Sequence, residues 1–222
     1  MTAKRLFIFG VLVTACMSVA ASAAPLAVNS YSMDNGGTGT YVYQDGTYSN
    51  CVANSCNTTG APLMGGTGRL TNGVVPTADW NVGSNSSGWI GWDSGELNGS
   101  NPTIDFFFPG SSTINSVSIW YDNSLGAGGV TEPASVSIDG TNYAFTPNST
   151  EGPQLFTISG LNLTGSSATV QFFQGTDVWI MIGQVTFNGA VSTAPEPGTT
   201  VLMGGGLFAA AFMLWRKRPR AR

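Results

Sequence analysis

The sequence predicts an all-β protein, a β-sandwich of the jelly-roll kind, on three observations. Seven short runs rich in β-branched and aromatic residues lie between positions 103 and 187, and several alternate with period two. Turn signals built from Gly, Pro, Asn, Asp and Ser separate them. Outside the two ends of the chain no stretch carries a helical period, and strands spaced this closely fit a sandwich.

In chain order, the first segment is an address. Lys4-Arg5 forms a positive n-region, residues 6–13 (LFIFGVLV) begin an apolar stretch, and Ala21-Ser22-Ala23 supplies the small-x-small pattern that signal peptidase cleaves. Residues 1–23 are therefore expected to be a signal peptide. A rival reading takes Val13-Thr14-Ala15-Cys16 as a lipobox with Cys16 lipidated; both readings export the chain.

Residues 24–68 are rich in Gly, Asn and Thr, with Tyr31, Tyr41, Tyr43 and Tyr48 scattered among them. They read as an N-terminal extension, mostly loop, in which residues 40–43 could add a strand. Cys51 and Cys56 are the only cysteines left after signal cleavage, and outside the cytoplasm a disulfide between them is expected.

The sandwich is expected over 69–190. Its runs are 103–108 (TIDFFF), 114–121 (INSVSIWY), 134–138 (ASVSI), 141–145 (TNYAF), 155–158, 168–173 and 178–187 (VWIMIGQVTF), the last interrupted at Gly183. Turns are read at Pro109-Gly110, Pro147-Asn148, Ser159-Gly160 and Gly165-Ser166. Asp139-Gly140 between two alternating runs is a hairpin turn, since both residues tolerate positive φ.

The last segment, 191–222, is a second address. Residues 198–215 are eighteen in a row without a charge, a helix about 27 Å long that would cross a bilayer core. The tail 216–222 (RKRPRAR) follows at once and would hold the cytoplasmic side. Pro195-Glu196-Pro197 stands just before the helix, and its prolines keep that backbone extended and accessible. The order Pro-Glu-Pro, apolar helix, Arg-rich terminus resembles the PEP-CTERM sorting signal. That resemblance implies processing by exosortase, a membrane-embedded cysteine transpeptidase, so that the helix anchors the chain in the inner membrane only transiently.

Charge excludes several functions. Between Pro25 and Ala194 there are eleven acids and one base, Arg69, which leaves this region at net −10 with no lysine or histidine. A nucleic-acid partner would need cations to displace counterions from phosphates. Histidine-based triads and His-ligated zinc sites are excluded by composition.

From Arg69 to Phe187 the order of features resembles the galactose-binding-like, discoidin-type domains. The residues that carry it are Leu70-Thr71-Asn72-Gly73, the Gly88–Trp92 segment GWIGW followed by Thr103-Ile104-Asp105-Phe106, Thr113 to Val117, and Val178 to Val185. The resemblance implies a structural calcium ion, with acids where this chain has Asn72 and Gln184. Both keep a carbonyl oxygen but lose the charge a hard cation favours. Asn72, Asp79 and Gln184 are the candidate ligands for such an ion, with Asp79 and Asp93 as the acids that could compensate; the competing account makes those two acids solvated turn residues.

The strongest functional constellation is Trp80, Trp89 and Trp92 beside Asp93, because indole faces stack on sugar rings while neighbouring polar groups bond hydroxyls. The competing account packs Trp89 and Trp92 into the core. Asp93, Glu96 and Asp105 could be posed as a glycosidase pair, but eleven acids supply close pairs by chance, and no enzyme is expected. The sequence therefore points to an exported protein of the cell envelope or exopolysaccharide matrix that binds carbohydrate without catalysis. The alternative is a structural matrix or surface-layer component with no specific ligand. Its processing partners would be signal peptidase and exosortase, its ligand an exopolysaccharide glycan, and nucleic acid is not among its partners.

Overall fold

The computed structural model describes residues 24–82, 88–95, 101–175 and 177–192. Among the described residues nine strands form the fold: β1 (Ala24–Leu26), β2 (Ser30–Asp34), β3 (Pro62–Gly66), β4 (Ile90–Asp93), β5 (Thr103–Asn123), β6 (Ser135–Ile138), β7 (Thr141–Ala144), β8 (Gly152–Phe173) and β9 (Trp179–Val191). The expected signal peptide 1–23 and C-terminal helix 198–215 lie outside the described residues, as do Cys16, Glu96 and Pro195-Glu196-Pro197. Among the described residues no helix is long and apolar enough to cross a membrane.

The architecture is all-β, and its two layers share their two longest strands. The first half of β5 pairs with β2 and with the end of β8, and β6 and β7 extend that layer. The second half of β5 lies between the start of β8 and β9, and β9 is flanked on its far side by β1 and β4. Runs read as separate strands at 103–108 and 114–121 are thus one strand, and so are 155–158 and 168–173. Pro109-Gly110 and Gly165-Ser166 do not end strands. They lie where the register jumps between Phe107/Ser167 and Ser112/Gly165, the corner at which both strands pass from one layer to the other.

Bulges keep the apolar side chains facing inward beyond the corner. In β5 the buried residues are Ile104, Phe106, Phe108 and Ile114, then Val117, Ile119 and Tyr121. The change from even to odd positions falls at the irregularity between Ile114 and Ser116. In β9, Ile180 and Ile182 give way to Val185 and Phe187 across the shift opposite Trp120 and Tyr121, where Gly183 is skipped. A one-residue slip would otherwise turn every later side chain outward. Gly183 suits the bulge for a second reason: a Cβ there would come within 2.3 Å of the Pro76 ring. The interruption read at Gly183 is therefore this bulge. Asp139 and Gly140 have φ of 47° and 84° in the β6–β7 hairpin, with Ile138 opposite Thr141.

Phe187 closes the core between the layers, its ring 5.0 Å from Phe106 and 5.1 Å from Phe108. Residues 24–68, read from the sequence as an extension, belong to this same fold. They supply β1, β2 and β3, with β2 hydrogen-bonded to β5, whereas the strand expected at 40–43 is only a bridge between Thr38 and Val42. Alternation in SYSMD points Tyr31 and Met33 inward. Tyr31 donates to Asp45 Oδ2, Tyr48 donates to the Tyr31 carbonyl, and the Gly66 N–H bonds Tyr48 Oη at 2.8 Å. Asp45 also accepts the Arg69 N–H at 3.0 Å, and Arg69 Nη1 donates to Trp89 O at 2.8 Å. The single basic residue of the central region is thus spent inside the protein. Burial pushes its guanidinium below the ordinary range, and Asp45 offsets part of that shift. All nine described strands come from residues 24–192, and they pair with one another in one connected network.

Candidate functional site

The bend in β5 and β8 gives the molecule two unlike ends. At one end lie the corner residues 108–111 and the exit of β9, where Val191 pairs with Ser112 and the Ser192 N–H bonds Ser111 O at 2.7 Å. At the other end gather the start and finish of β5, the finish of β8 and the loops 124–134, 145–151 and 174–178. Bonds from the Ala134 N–H to Phe173 O (3.0 Å), from the Phe145 N–H to Ala134 O (3.2 Å) and from Asn123 Nδ2 to Asn148 O (2.7 Å) tie these segments together.

An aromatic cluster lies at the loop end, on the side of β4 and β9 away from the main core. Tyr43, Trp80, Trp89, Val130 and Met181 are buried in it, and half-buried Tyr41 and Trp179 form its rim. The rings meet edge to face, with Tyr43 5.1 Å from Trp179 and 6.1 Å from Trp80. Burial pushes the Tyr43 hydroxyl up to about 12. Gly128, at φ 62°, backs onto this cluster so closely that a Cβ would stand 2.2 Å from the Trp80 ring.

The tryptophans singled out in the sequence are therefore inside the protein. Trp80 is 7% exposed, Trp89 0% and Trp92 1%. Trp89 Nε1 donates to Ala78 O at 3.0 Å, and Trp92 Nε1 donates to Asp34 O at 2.9 Å. Rings buried to this degree have no open face to offer a sugar. Asp93 is half-buried at the end of β4 and accepts the Gly95 N–H at 2.7 Å. Asp105 accepts a bond from Thr169 Oγ1 at 2.6 Å, on the other layer, so it does not share a site with Asp93.

The residues considered for calcium do not assemble a fitting donor set. Asn72 Oδ1 accepts the Val74 N–H at 2.8 Å, and Gln184 Oε1 accepts the Gly73 N–H at 3.2 Å. Both carbonyl oxygens are thus committed to the backbone of one turn. Asp79 faces Gly152 and adds its charge to that of Asp122. Among the described residues no group of three or more His, Cys, Asp or Glu could hold a metal ion. Cys51 and Cys56 form a disulfide.

Asp122 is a titratable group that the sequence does not mark. It is fully buried, with Oδ2 accepting the Trp80 N–H at 3.1 Å and Ser124 Oγ at 3.0 Å. Burial pushes its carboxyl up to about 6, and Asp79 adds to the rise while the hydrogen bonds oppose it. The arrangement fastens the Trp80 loop to the end of β5.

An open groove of about 330 Å³ lies at the same end, between the loops of the two layers. Phe145, Pro133 and Pro147 give it apolar walls, and Thr131, Glu132 and Gln174 supply polar groups. None of these was singled out in the sequence. They come from three separate loops, and only the folding-over of β5 and β8 brings them together. Such a volume is at the small end of the range for ligand sites, and its walls carry no cation.

Comparison with known proteins adds the following. Residues 193–218 match the PEP-CTERM protein-sorting motif. No curated protein matches the chain. Among solved structures it is similar to the CBM32 of AlyQ in complex with 4,5-unsaturated mannuronic acid, at 16% identity and a TM-score of 0.30, over 45% of this chain and 75% of that one. It is also similar to the family 32 CBM from C. perfringens NanJ in complex with galactose, at 12% identity and a TM-score of 0.31, over 50% and 89% of the two chains. A third is a pectin binding carbohydrate binding module, at 9% identity and a TM-score of 0.26, over 48% and 75%. Behind its all-β domain the chain carries a PEP-CTERM sorting motif and is therefore an exported, exosortase-sorted protein.

Proposed function

We propose that the protein binds carbohydrate without catalysis, at the cell surface or in the exopolysaccharide matrix, and that it takes a neutral glycan at the loop end. The observation that carries this reading is the groove lined by Thr131, Glu132, Phe145 and Gln174. Its apolar wall suits the carbon face of a sugar ring, and its side chains suit hydroxyls. The half-buried rims of Tyr41 and Trp179 are a second apolar surface at that end. With Glu132 in the wall and eleven acids against one arginine between Pro25 and Ala194, an anionic polysaccharide would be repelled.

Orientation supports the reading. β9 runs from Trp179 at the loop end to Val191 at the corner end, so the chain leaves toward the sorting motif opposite the groove. A molecule tethered there would hold its groove outward.

Affinity electrophoresis of residues 24–192 through gels containing the host's exopolysaccharide or neutral test glycans checks the proposal. Retardation is expected, and Gln174→Ala and Glu132→Ala should each reduce it several-fold while the melting temperature holds. A folded wild type that runs unretarded in every gel would remove the glycan reading.

A further inference from the structure

Long stretches of strand carry no charge. None falls in Ala24–Leu26, in 112–121, in Gly152–Phe173 or in Trp179–Val191, and the acids of the layer built on β9, Asp122 and Asp93, sit near the ends of β5 and β4. The ten acids among the described residues lie on the first half of β5, at strand ends or in loops, as with Asp105 on β5, Asp122 and Asp93 near the ends of β5 and β4, and Asp139 in the β6–β7 turn.

β8 ends the layer built on β9 in an open edge. Over 152–159 and 163–165 it pairs with β5 on one side, and β6 joins it only at 170–173. The continuous stretch 152–159 alone spans about 26 Å of strand, long for an edge on which backbone N–H and C=O groups stand unpaired. Edges are ordinarily guarded by lysines, inward charges or short length. Among the described residues its guards are Pro153, Glu151 and Asp79 at its start, with Asp79 lying against Gly152, and the irregularity around Gly160 and Asn162, whose φ values are 75° and 52°. Leu155, 50% exposed, stands on this edge opposite half-buried Trp120.

We infer that this edge is a self-association surface, on which a second copy of the chain adds its own β8 antiparallel about a twofold axis. The partner is argued from charge. Two copies at net −10 repel through almost any other pair of surfaces, whereas the β8 edges bring together two stretches without charge. A twofold antiparallel pairing is self-complementary and closed, and it would join two four-stranded layers into one continuous sheet. The surface is distinct from the loop-end groove, so either can fail without the other.

Sedimentation velocity of residues 24–192 from about 1 μM to about 1 mM tests it, at low and at moderate salt. A monomer–dimer equilibrium that tightens as salt rises is expected, because screening relieves repulsion between the two acidic molecules. Thr157→Asp sets like charges on the paired edge and should weaken association at least tenfold. Thr141→Asp, on the opposite edge strand β7, should leave it unchanged. Leu155→Asp is the second probe should Thr157→Asp lower the melting temperature. A wild type monomeric to 1 mM, or equal effects of Thr157→Asp and Thr141→Asp, would overturn the inference.

Discussion

Trp89 admits two accounts, a sugar contact and a core residue, and its burial favours the second. Its ring is fully buried and its indole N–H is bonded to Ala78 O. Trp89→Ala should therefore destabilise the fold by about 3–5 kcal/mol, visible as a large fall in melting temperature, rather than selectively abolish ligand binding. Asp122 yields a prediction of a different kind. Its folded-state value is raised from 3.8 to about 6, so its stabilising contribution is complete below pH 3.8 and is lost as pH rises through about 6. A shift of this size corresponds to about 3 kcal/mol. Denaturant titrations of wild type and Asp122→Asn across this interval should show a fall in the wild type that is absent in the variant. Calcium belongs at this scale too. With Asn72 and Gln184 committed to backbone N–H groups, chelator should leave the melting temperature unchanged. Composition made Arg69 conspicuous as a lone cation, but only the fold reveals Asp45 and the Trp89 carbonyl as its partners.

At the scale of elements, the alternating runs of β5 to β9 were legible because burial on one face imposes period two. The hairpin at Asp139-Gly140 was legible because its two residues are those that accept positive φ. The continuity of β5 and β8 was not. Pro109-Gly110 and Gly165-Ser166 carry the chemistry of turns, and whether a strand ends or turns a corner depends on pairing with distant residues. Residues 24–68 misled for a related reason: their Gly, Asn and Thr content is that of loops, while Tyr31 and Tyr48 act as core residues. The bulge at Gly183 makes a clear prediction. Gly183→Ala drives a methyl group into Pro76 and should cost about 1–3 kcal/mol, measurable by chemical denaturation. Opening the short Cys51–Cys56 loop should cost about 2 kcal/mol on the chain-entropy account, measured as the difference in unfolding free energy between wild type and the Cys51→Ser, Cys56→Ser double variant.

For the whole molecule, the destination was the most legible property. Sorting signals are read as linear segments by processing enzymes, so residues 193–218 announce themselves without a fold. The groove was illegible because Thr131, Phe145 and Gln174 are far apart in sequence and belong to no motif. Folding β5 and β8 over one corner sets the groove at one end and the exit toward the sorting motif at the other, and the account rests on this polarity. Nuclear magnetic resonance of isotopically labelled residues 24–192, titrated with oligosaccharides cut from the host's own polysaccharide, tests it most directly. Saturable amide shifts concentrated at 131–134, 145–147 and 174–175 are predicted. Shifts confined to the corner residues 108–111, or no shifts at saturating glycan, would contradict it.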